Sequence, residues 1–376
     1  MAIFTFTAVK MELGILGLPK SGKTTVFNAL TRNMAQTAAY STGTIDPNLG
    51  VVKVPDERLE ALSRMFNPKK TTPAEVRYVD IGAPPKGFGR GEGISGEFLA
   101  HLSRADALIH VVRVFDAVEV SHISGNVDPE SDVESLELEM AFSDMIIIDR
   151  KLERIKESVK SAKPQEQDQA RKEQALLDRV KSALEEGVPV RKQALTEQET
   201  RLLANYQFLT AKPMLLVLNV GESQLGEADD LQMECAARHQ DGTCEVAALC
   251  GKLEMELSQM DDEEAQVFRD DMGIGEAGLA RVIALSYRLL GFISFFTVGE
   301  DEVRAWTIRE GTVAQKAAGK IHSDLERGFI RAEVVRFDDL AACGSMAECR
   351  NRGLLRLEGK EYIVRDGDVM TVLFNV

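Results

Sequence analysis

The 376 residues predict an α/β fold: a mostly parallel sheet interrupted by an inserted antiparallel helical coiled-coil arm and followed by a small mixed sheet. Three observations predict it. An apolar run at 12–17 enters a glycine-rich loop and leaves it as a helical stretch at 23–33. Strand-like apolar runs at 107–114 and 212–219 have almost no polar alternation, as expected when helices cover both faces of a parallel sheet. Between those runs, heptad-like spacing replaces strand character.

Taken in order, 12–17 reads as a buried strand, and 76–80 and 107–114 as two more. From about Asp132 the apolar residues Ile148, Leu152, Ile155 and Val159 recur at helical spacing among charged neighbours. Lys163-Pro164 breaks the pattern, and Leu177, Val180 and Leu184 resume it until Gly187 and Pro189. Strand character returns at 212–219 and 244–249, so the helical segment is an insertion within one domain. From about Phe292, strands are expected near 292–297, 304–308, 330–336 and 369–374, with one helix over 313–325 and a turn at Asp366-Gly367. The boundaries that follow are 11–129 and 207–290 for the two parts of the α/β domain that carries the glycine loop, 130–206 for the helical arm and 291–376 for the C-terminal domain.

Composition narrows the function classes. Hydrophobic residues at 44% and charged residues at 28% are the balance of a soluble globular chain. No stretch approaches the roughly 20 apolar residues of a membrane span, so no membrane partner is expected. The first ten residues lack a basic start and a cleavage site, so they do not read as a signal peptide, and Met11 restarts just before a strand. Five cysteines without a C-x-x-C pair favour reduced thiols in the cytoplasm over disulfides or zinc. A formal net charge of −15 argues against broad nucleic-acid binding and confines any RNA contact to one face; no specific DNA recognition is expected.

Gly17-Leu18-Pro19-Lys20-Ser21-Gly22-Lys23-Thr24-Thr25 carries the chemistry. Its glycines let backbone N–H groups turn toward phosphates at the positive end of the following helix. Lys23 would contact the β and γ phosphates, and the Thr24 hydroxyl would ligate Mg2+. Asp80, ending a strand downstream, suits the second acidic position at the metal. Gly82-Ala83-Pro84 follows, where Ras-type GTPases place a γ-phosphate glycine and a water-orienting glutamine; proline can orient no water. Thr44 lies at a plausible distance for a switch threonine that completes the metal shell. Asn219-Val220-Gly221-Glu222 occupies the place of the base-reading Asn-Lys-x-Asp, with glutamate for the aspartate and valine for the lysine, which weakens the case for guanine. Cys250 and Gly251 fit a last backbone contact to the base.

On these residues the chain resembles the Obg-like ATPase (YchF) family, a branch of the translation-factor-related P-loop GTPases. The resemblance also runs through Thr44-Ile-Asp-Pro-Asn48, His110-Val-Val-Arg113, His122-Ile-Ser-Gly125, Arg304-Ala-Trp-Thr307 and Tyr362-Ile-Val-Arg-Asp-Gly-Asp-Val-Met370, and it covers Met11 to the C-terminus. It implies a Ras-like P-loop domain and a C-terminal TGS domain of β-grasp fold. It implies ATP as substrate with GTP weaker, Mg2+ as cofactor, slow hydrolysis, and association with ribosomes or RNA. It also implies that His122 acts at the attacking water; Lys23 counts as catalytic through its contacts to the phosphates. Departures from the family pattern are Lys20-Ser21 for Asn-Val, Gly82-Ala83-Pro84 for Ala-Gly-Leu, and Ser103 for an arginine. Two alternatives stay open: a GTPase of the same fold, and a non-hydrolysing RNA- or ribosome-binding adaptor. His110, inside an apolar strand, reads as a core residue.

Overall fold

The computed structural model describes residues 12–32, 47–81, 94, 96–116, 127–159, 163–272 and 278–375. They form two compact units: 12–50 with 78–282, and 51–77 with 283–375. Among them no helix is long and apolar enough to cross a membrane.

Among the described residues, seven strands precede the C-terminal region: β1 (Glu12–Leu16), β2 (Asn48–Lys53), β3 (Lys70–Thr72), β4 (Glu75–Asp80), β5 (Ala107–Arg113), β6 (Met214–Asn219) and β7 (Cys244–Leu249). All except β3 join one sheet in the order β2-β4-β1-β5-β6-β7. β1 with β5, β5 with β6, and β6 with β7 are parallel pairs, Leu16 opposite His110 and Arg113 opposite Asn219. Every residue of β5 and of β6 is buried, as their unbroken apolar character predicts. Because all these strands run the same way, the loops after β1, β5, β6 and β7 gather at one sheet edge. In open α/β sheets, ligands bind at that edge.

In chain order, the first five helices among the described residues are α1 (Lys23–Thr31), α2 (Glu57–Phe66), α3 (Gly96–Arg104), α4 (Pro129–Ser158) and α5 (Pro164–Glu185). The 30 residues of α4 serve two cores. Its first half places Val133, Leu136 and Met140 against the sheet, beside Leu216 and Leu218. Its second half places Ile148, Leu152 and Ile155 against Leu177, Val180 and Leu184 of α5, the stripe that the heptad spacing predicts. Pro164 opens α5 at a position whose N–H no helix carbonyl would have accepted.

Asp144 holds the arm at its root. Its carboxylate is fully buried and accepts the Leu209 N–H at 2.8 Å, the Thr210 N–H at 2.8 Å and the Thr210 hydroxyl at 2.7 Å. Burial pushes this carboxyl up to about 6, while those hydrogen bonds pull it down. Asp144→Ala strands buried donors and is expected to cost about 3 kcal/mol, because each orphaned buried group costs roughly 1–3 kcal/mol. Urea unfolding checks this; a midpoint within error of the parent would show that Asp144 does not tie the arm down.

The second unit is built on β8 (Phe292–Thr297), β9 (Glu302–Arg309), β10 (Phe329–Arg336), β11 (Arg356–Glu358) and β12 (Asp368–Phe374), close to the strands read from the sequence. Helix Ala314–Ile321 lays Ala314, Ala317 and Ala318 on Phe295, Ile308, Val334 and Met370, the one-helix-on-a-sheet arrangement expected of a β-grasp domain. The predicted single helix over 313–325 is two, because His322 adopts an extended backbone and caps a second short helix, Ser323–Arg327. Arg327 pairs with Asp324, and the Arg304 guanidinium lies 4.0 Å over the Trp306 ring, so both cations serve local contacts.

Residues 51–77 are grouped differently from the sequence-derived boundaries, which keep them in the nucleotide-binding domain. β3 is an edge strand of the C-terminal sheet, whose order is β11-β10-β12-β8-β9-β3. It pairs in parallel with β9, Thr71 opposite Val303. α2 belongs to the same unit: Arg58 meets Asp366 at 2.6 Å, and its guanidinium lies 5.3 Å over the Phe296 ring.

Candidate nucleotide-binding site

The loop after β1 requires its glycines for space. A side chain at Gly17 would collide with the Val111 carbonyl and crowd the Ser21 hydroxyl, and one at Gly22 would fall on the Asn219 amide. Gly22 also has φ of +93°, a left-handed conformation that costs glycine little. Lys20 is left-handed too, at φ +69°, and its side chain is exposed. Pro19 is half-buried and Ser21 buried, so the turn presents backbone to whatever it encloses. No side chain caps the start of α1. Its first N–H groups therefore remain available to an anion, with the helix dipole behind them.

Lys23 is 8% exposed and donates to the carbonyls of Gly17 at 2.9 Å and Leu18 at 3.0 Å. Burial lowers its ammonium to about 8, and Asp80 partly restores it. Asp80 ends β4 at 2% exposure. A buried cation on a loop that would wrap a triphosphate is electrostatically suited to one. The neighbouring donors are hard oxygens: the Thr24 hydroxyl is exposed and Asp80 supplies one carboxylate. Mg2+ takes one or two carboxylates together with substrate phosphates and water, so these residues fit the metal. When bound, it would neutralise phosphate charge. Thr25, next in α1, is half-buried. Thr44, His122 and Gly82-Ala83-Pro84 lie outside the described residues.

The base-side elements meet through Asn219. Its side-chain N–H donates to the Ser21 carbonyl at 2.9 Å, and its side-chain oxygen accepts the Gly251 N–H at 2.9 Å. One buried amide thus ties the glycine loop to the loop after β7. Val220 is 1% exposed and packs into the sheet's apolar cluster, so the structure does not bring its side chain to the ligand face. The Cys250 thiol is buried too, and burial pushes it up, which leaves backbone as the contact this segment can offer. Glu222 stands exposed, with the Lys252 ammonium 2.9 Å from its carboxylate.

Two neighbours carry no motif and escape sequence reading. Phe115, half-buried just past β5, sits against Gly221 and near Gly22, and the Arg113 guanidinium lies 4.7 Å over its ring. Gln224 accepts the Gly221 N–H at 2.9 Å and reaches back to the Val114 carbonyl at 3.4 Å. The available signal is an aromatic directly after an apolar strand, which is weak alone. His110 is a core residue, as its strand position predicts. It is fully buried, and burial, with Lys23 and His239 adding to it, lowers it to about 3, so it stays neutral. Among the described residues, neither ring nitrogen meets a hydrogen-bond partner. His239 bonds Glu130 at 2.9 Å.

A glycine loop between a parallel strand and a helix, a buried lysine beside a strand-end aspartate and an asparagine-tied base loop define a P-loop nucleotide-binding protein of the Ras-like class. Residues 12–151 match the family model described as 50S ribosome-binding GTPase, and residues 292–375 match the YchF GTPase C-terminal model, described as a protein of unknown function. The chain is 44% identical over 368 residues to the ribosome-binding ATPase YchF of Bacillus subtilis (strain 168), covering 97% of this chain and 100% of that protein. It is 38% identical over 369 residues to Obg-like ATPase 1 of Caenorhabditis elegans, covering 97% and 92%. The solved structure of the Schizosaccharomyces pombe YchF GTPase superposes with a TM-score of 0.84 at 32% identity, covering 97% of this chain and 98% of that one. The chain belongs to the YchF/Obg-like ATPase family.

Proposed function

We propose that the protein is a magnesium-dependent ATP-binding switch that hydrolyses ATP slowly and associates with ribosomes or RNA. The observation that carries this reading is the pairing of a complete phosphate loop with a base loop whose aspartate is replaced by Glu222. Aspartate in that position accepts two hydrogen bonds from guanine; glutamate is one methylene longer, and Val220 is turned into the core. The names of the relatives, ribosome-binding ATPases among them, support the same partner and substrate. Lys23 and backbone N–H groups bind the β and γ phosphates, Thr24, Asp80 and Thr44 hold the metal, and His122 positions the attacking water in place of the glutamine that Pro84 displaces. The cytoplasm is the compartment that such partners imply.

Calorimetric titration with Mg2+ should show ATP binding at least several-fold more tightly than GTP, and equal or reversed affinities would remove the adenine assignment. Pro84 favours a second reading, an adaptor that keeps nucleotide as a structural ligand. Steady-state ATP turnover with and without ribosomes separates the two: turnover stimulated by ribosomes supports the switch, and binding without turnover in either condition supports the adaptor.

A further inference from the structure

All five cysteines are free thiols, and two of them lie together in the C-terminal unit. Cys343 ends the helix Phe337–Cys343, and Cys349 lies inside the next helix, Met346–Asn351. Gly344, at φ +77°, stops the first helix in a left-handed conformation that suits glycine, and the Ser345 hydroxyl caps the second by accepting the Glu348 N–H at 3.2 Å. This turn sets one helix against the other. The Cys349 thiol donates to the Asp339 carbonyl at 3.8 Å. Asp339 is four residues before Cys343, so the helical ladder gives that same carbonyl to the Cys343 N–H, and the ladder continues with Gly344 N–H on the Leu340 carbonyl at 2.9 Å. The Cys349 sulfur therefore sits on the turn of helix that carries Cys343, and the two thiols are hydrogen-bonded to each other.

The two differ in access. Cys349 is fully buried, whereas Cys343 is half-buried. Burial, and then the adjacent Cys343 sulfur, push the Cys349 thiol up to about 11, so it stays protonated near neutral pH. Arg352 lies close enough to interact with charge on either sulfur, and its guanidinium is anchored on Glu348 at 2.6 Å. A neighbouring cation favours the thiolate, the form that attacks electrophiles. Cys235, Cys244 and Cys250 belong to the other compact unit, and burial raises each of them.

We infer that Cys343 and Cys349 form a dithiol oxidised by hydroperoxides, with Cys343 the attacking sulfur, Cys349 the resolving sulfur, and a disulfide closing across the Gly344 turn. In the first step the Cys343 thiolate attacks the hydroperoxide. The O–O bond breaks, the sulfur becomes a sulfenic acid, and the leaving oxygen takes a proton and departs as water or an alcohol. In the second step the Cys349 sulfur gives up its proton and attacks the sulfenic sulfur. The S–S bond forms, the S–O bond breaks, and water leaves. Two thiols and one hydrogen peroxide thus give one disulfide and two waters. Thiol reductants reverse the bond by exchange.

The test uses the full chain. No Lys or Arg lies between the two cysteines, so trypsin leaves both on one peptide, Phe337–Arg350. The protein is treated with a small excess of hydrogen peroxide, its remaining thiols are blocked with iodoacetamide in denaturant, and the digest is weighed. Most of this peptide should be unalkylated and two hydrogens lighter, while Cys235, Cys244 and Cys250 remain alkylated. A reductant added before blocking should restore both alkyl groups. In Cys349→Ala, Cys343 should stop at the sulfenic acid and be trapped by dimedone, which labels the parent far less. A parent peptide that stays doubly alkylated, or is found linked to a second peptide, would overturn the assignment whether or not the variant folds. Equal dimedone labelling of Cys343 in the parent and in Cys349→Ala would also overturn it, because Cys349 would then resolve nothing.

Discussion

Lys23→Ala is expected to weaken ATP binding by roughly 100-fold or more and to abolish measurable turnover. The lost interactions are charged hydrogen bonds to phosphate, worth roughly 1.5–3 kcal/mol each, and two of them make about 3–6 kcal/mol. The variant should still fold. Its ammonium is buried enough to be lowered to about 8, so the nucleotide-free protein already bears a cost for charging it, and alanine removes that cost along with the bonds to Gly17 and Leu18. Far-ultraviolet dichroism and thermal unfolding should match the parent while titration with ATP shows little heat. ATP affinity within threefold of the parent in a folded Lys23→Ala variant would contradict the phosphate-binding role.

Asn219→Ala should damage stability and binding together. The amide is 4% exposed and satisfies the Ser21 carbonyl and the Gly251 N–H at once. Removing it orphans two buried backbone groups, a loss of about 3 kcal/mol. It also releases the glycine loop from the base loop, so ATP affinity should fall by roughly 10- to 100-fold as both must be reordered on binding. Asn219→Asp separates the two bonds: it keeps the acceptor for Gly251 and sets a carboxylate oxygen against the Ser21 carbonyl. Denaturant midpoints and ATP titrations of both variants check the account. If Asn219→Ala loses affinity with no change in midpoint, the bridge is a ligand contact and not a structural tie.

Much of this was legible from residues alone. The glycine loop reads locally, since the glycines, Lys23 and Thr24 are adjacent in the chain and their spacing encodes the geometry. The arm reads from the recurrence of Ile148, Leu152 and Ile155, because one buried stripe imposes one period. The C-terminal strands read from composition for the same reason. The burial of Val220 was not legible: the motif gives its place in the loop, and its apolar side chain packs into the sheet core. Phe115 and Gln224 escaped because their roles depend on the glycine beside them and not on any pattern of their own.

The sequence by itself determined the fold class, the phosphate loop, the helical insertion and the family, all features whose physics repeats over short stretches of chain. Tertiary structure alone decided that α2 and β3 join the C-terminal unit while β2 and β4 stay in the first sheet, that Asn219 ties two loops, and that Lys252 stands on Glu222. β3 is three residues of Lys-Thr-Thr with no apolar alternation, and its partner Glu302 lies 230 residues along the chain from Thr72. An edge strand needs only a neighbour's free backbone groups, and an ion pair only an opposite charge within reach. Neither requirement leaves a periodic trace, so which of many equivalent partners is chosen emerges only when the chain has folded.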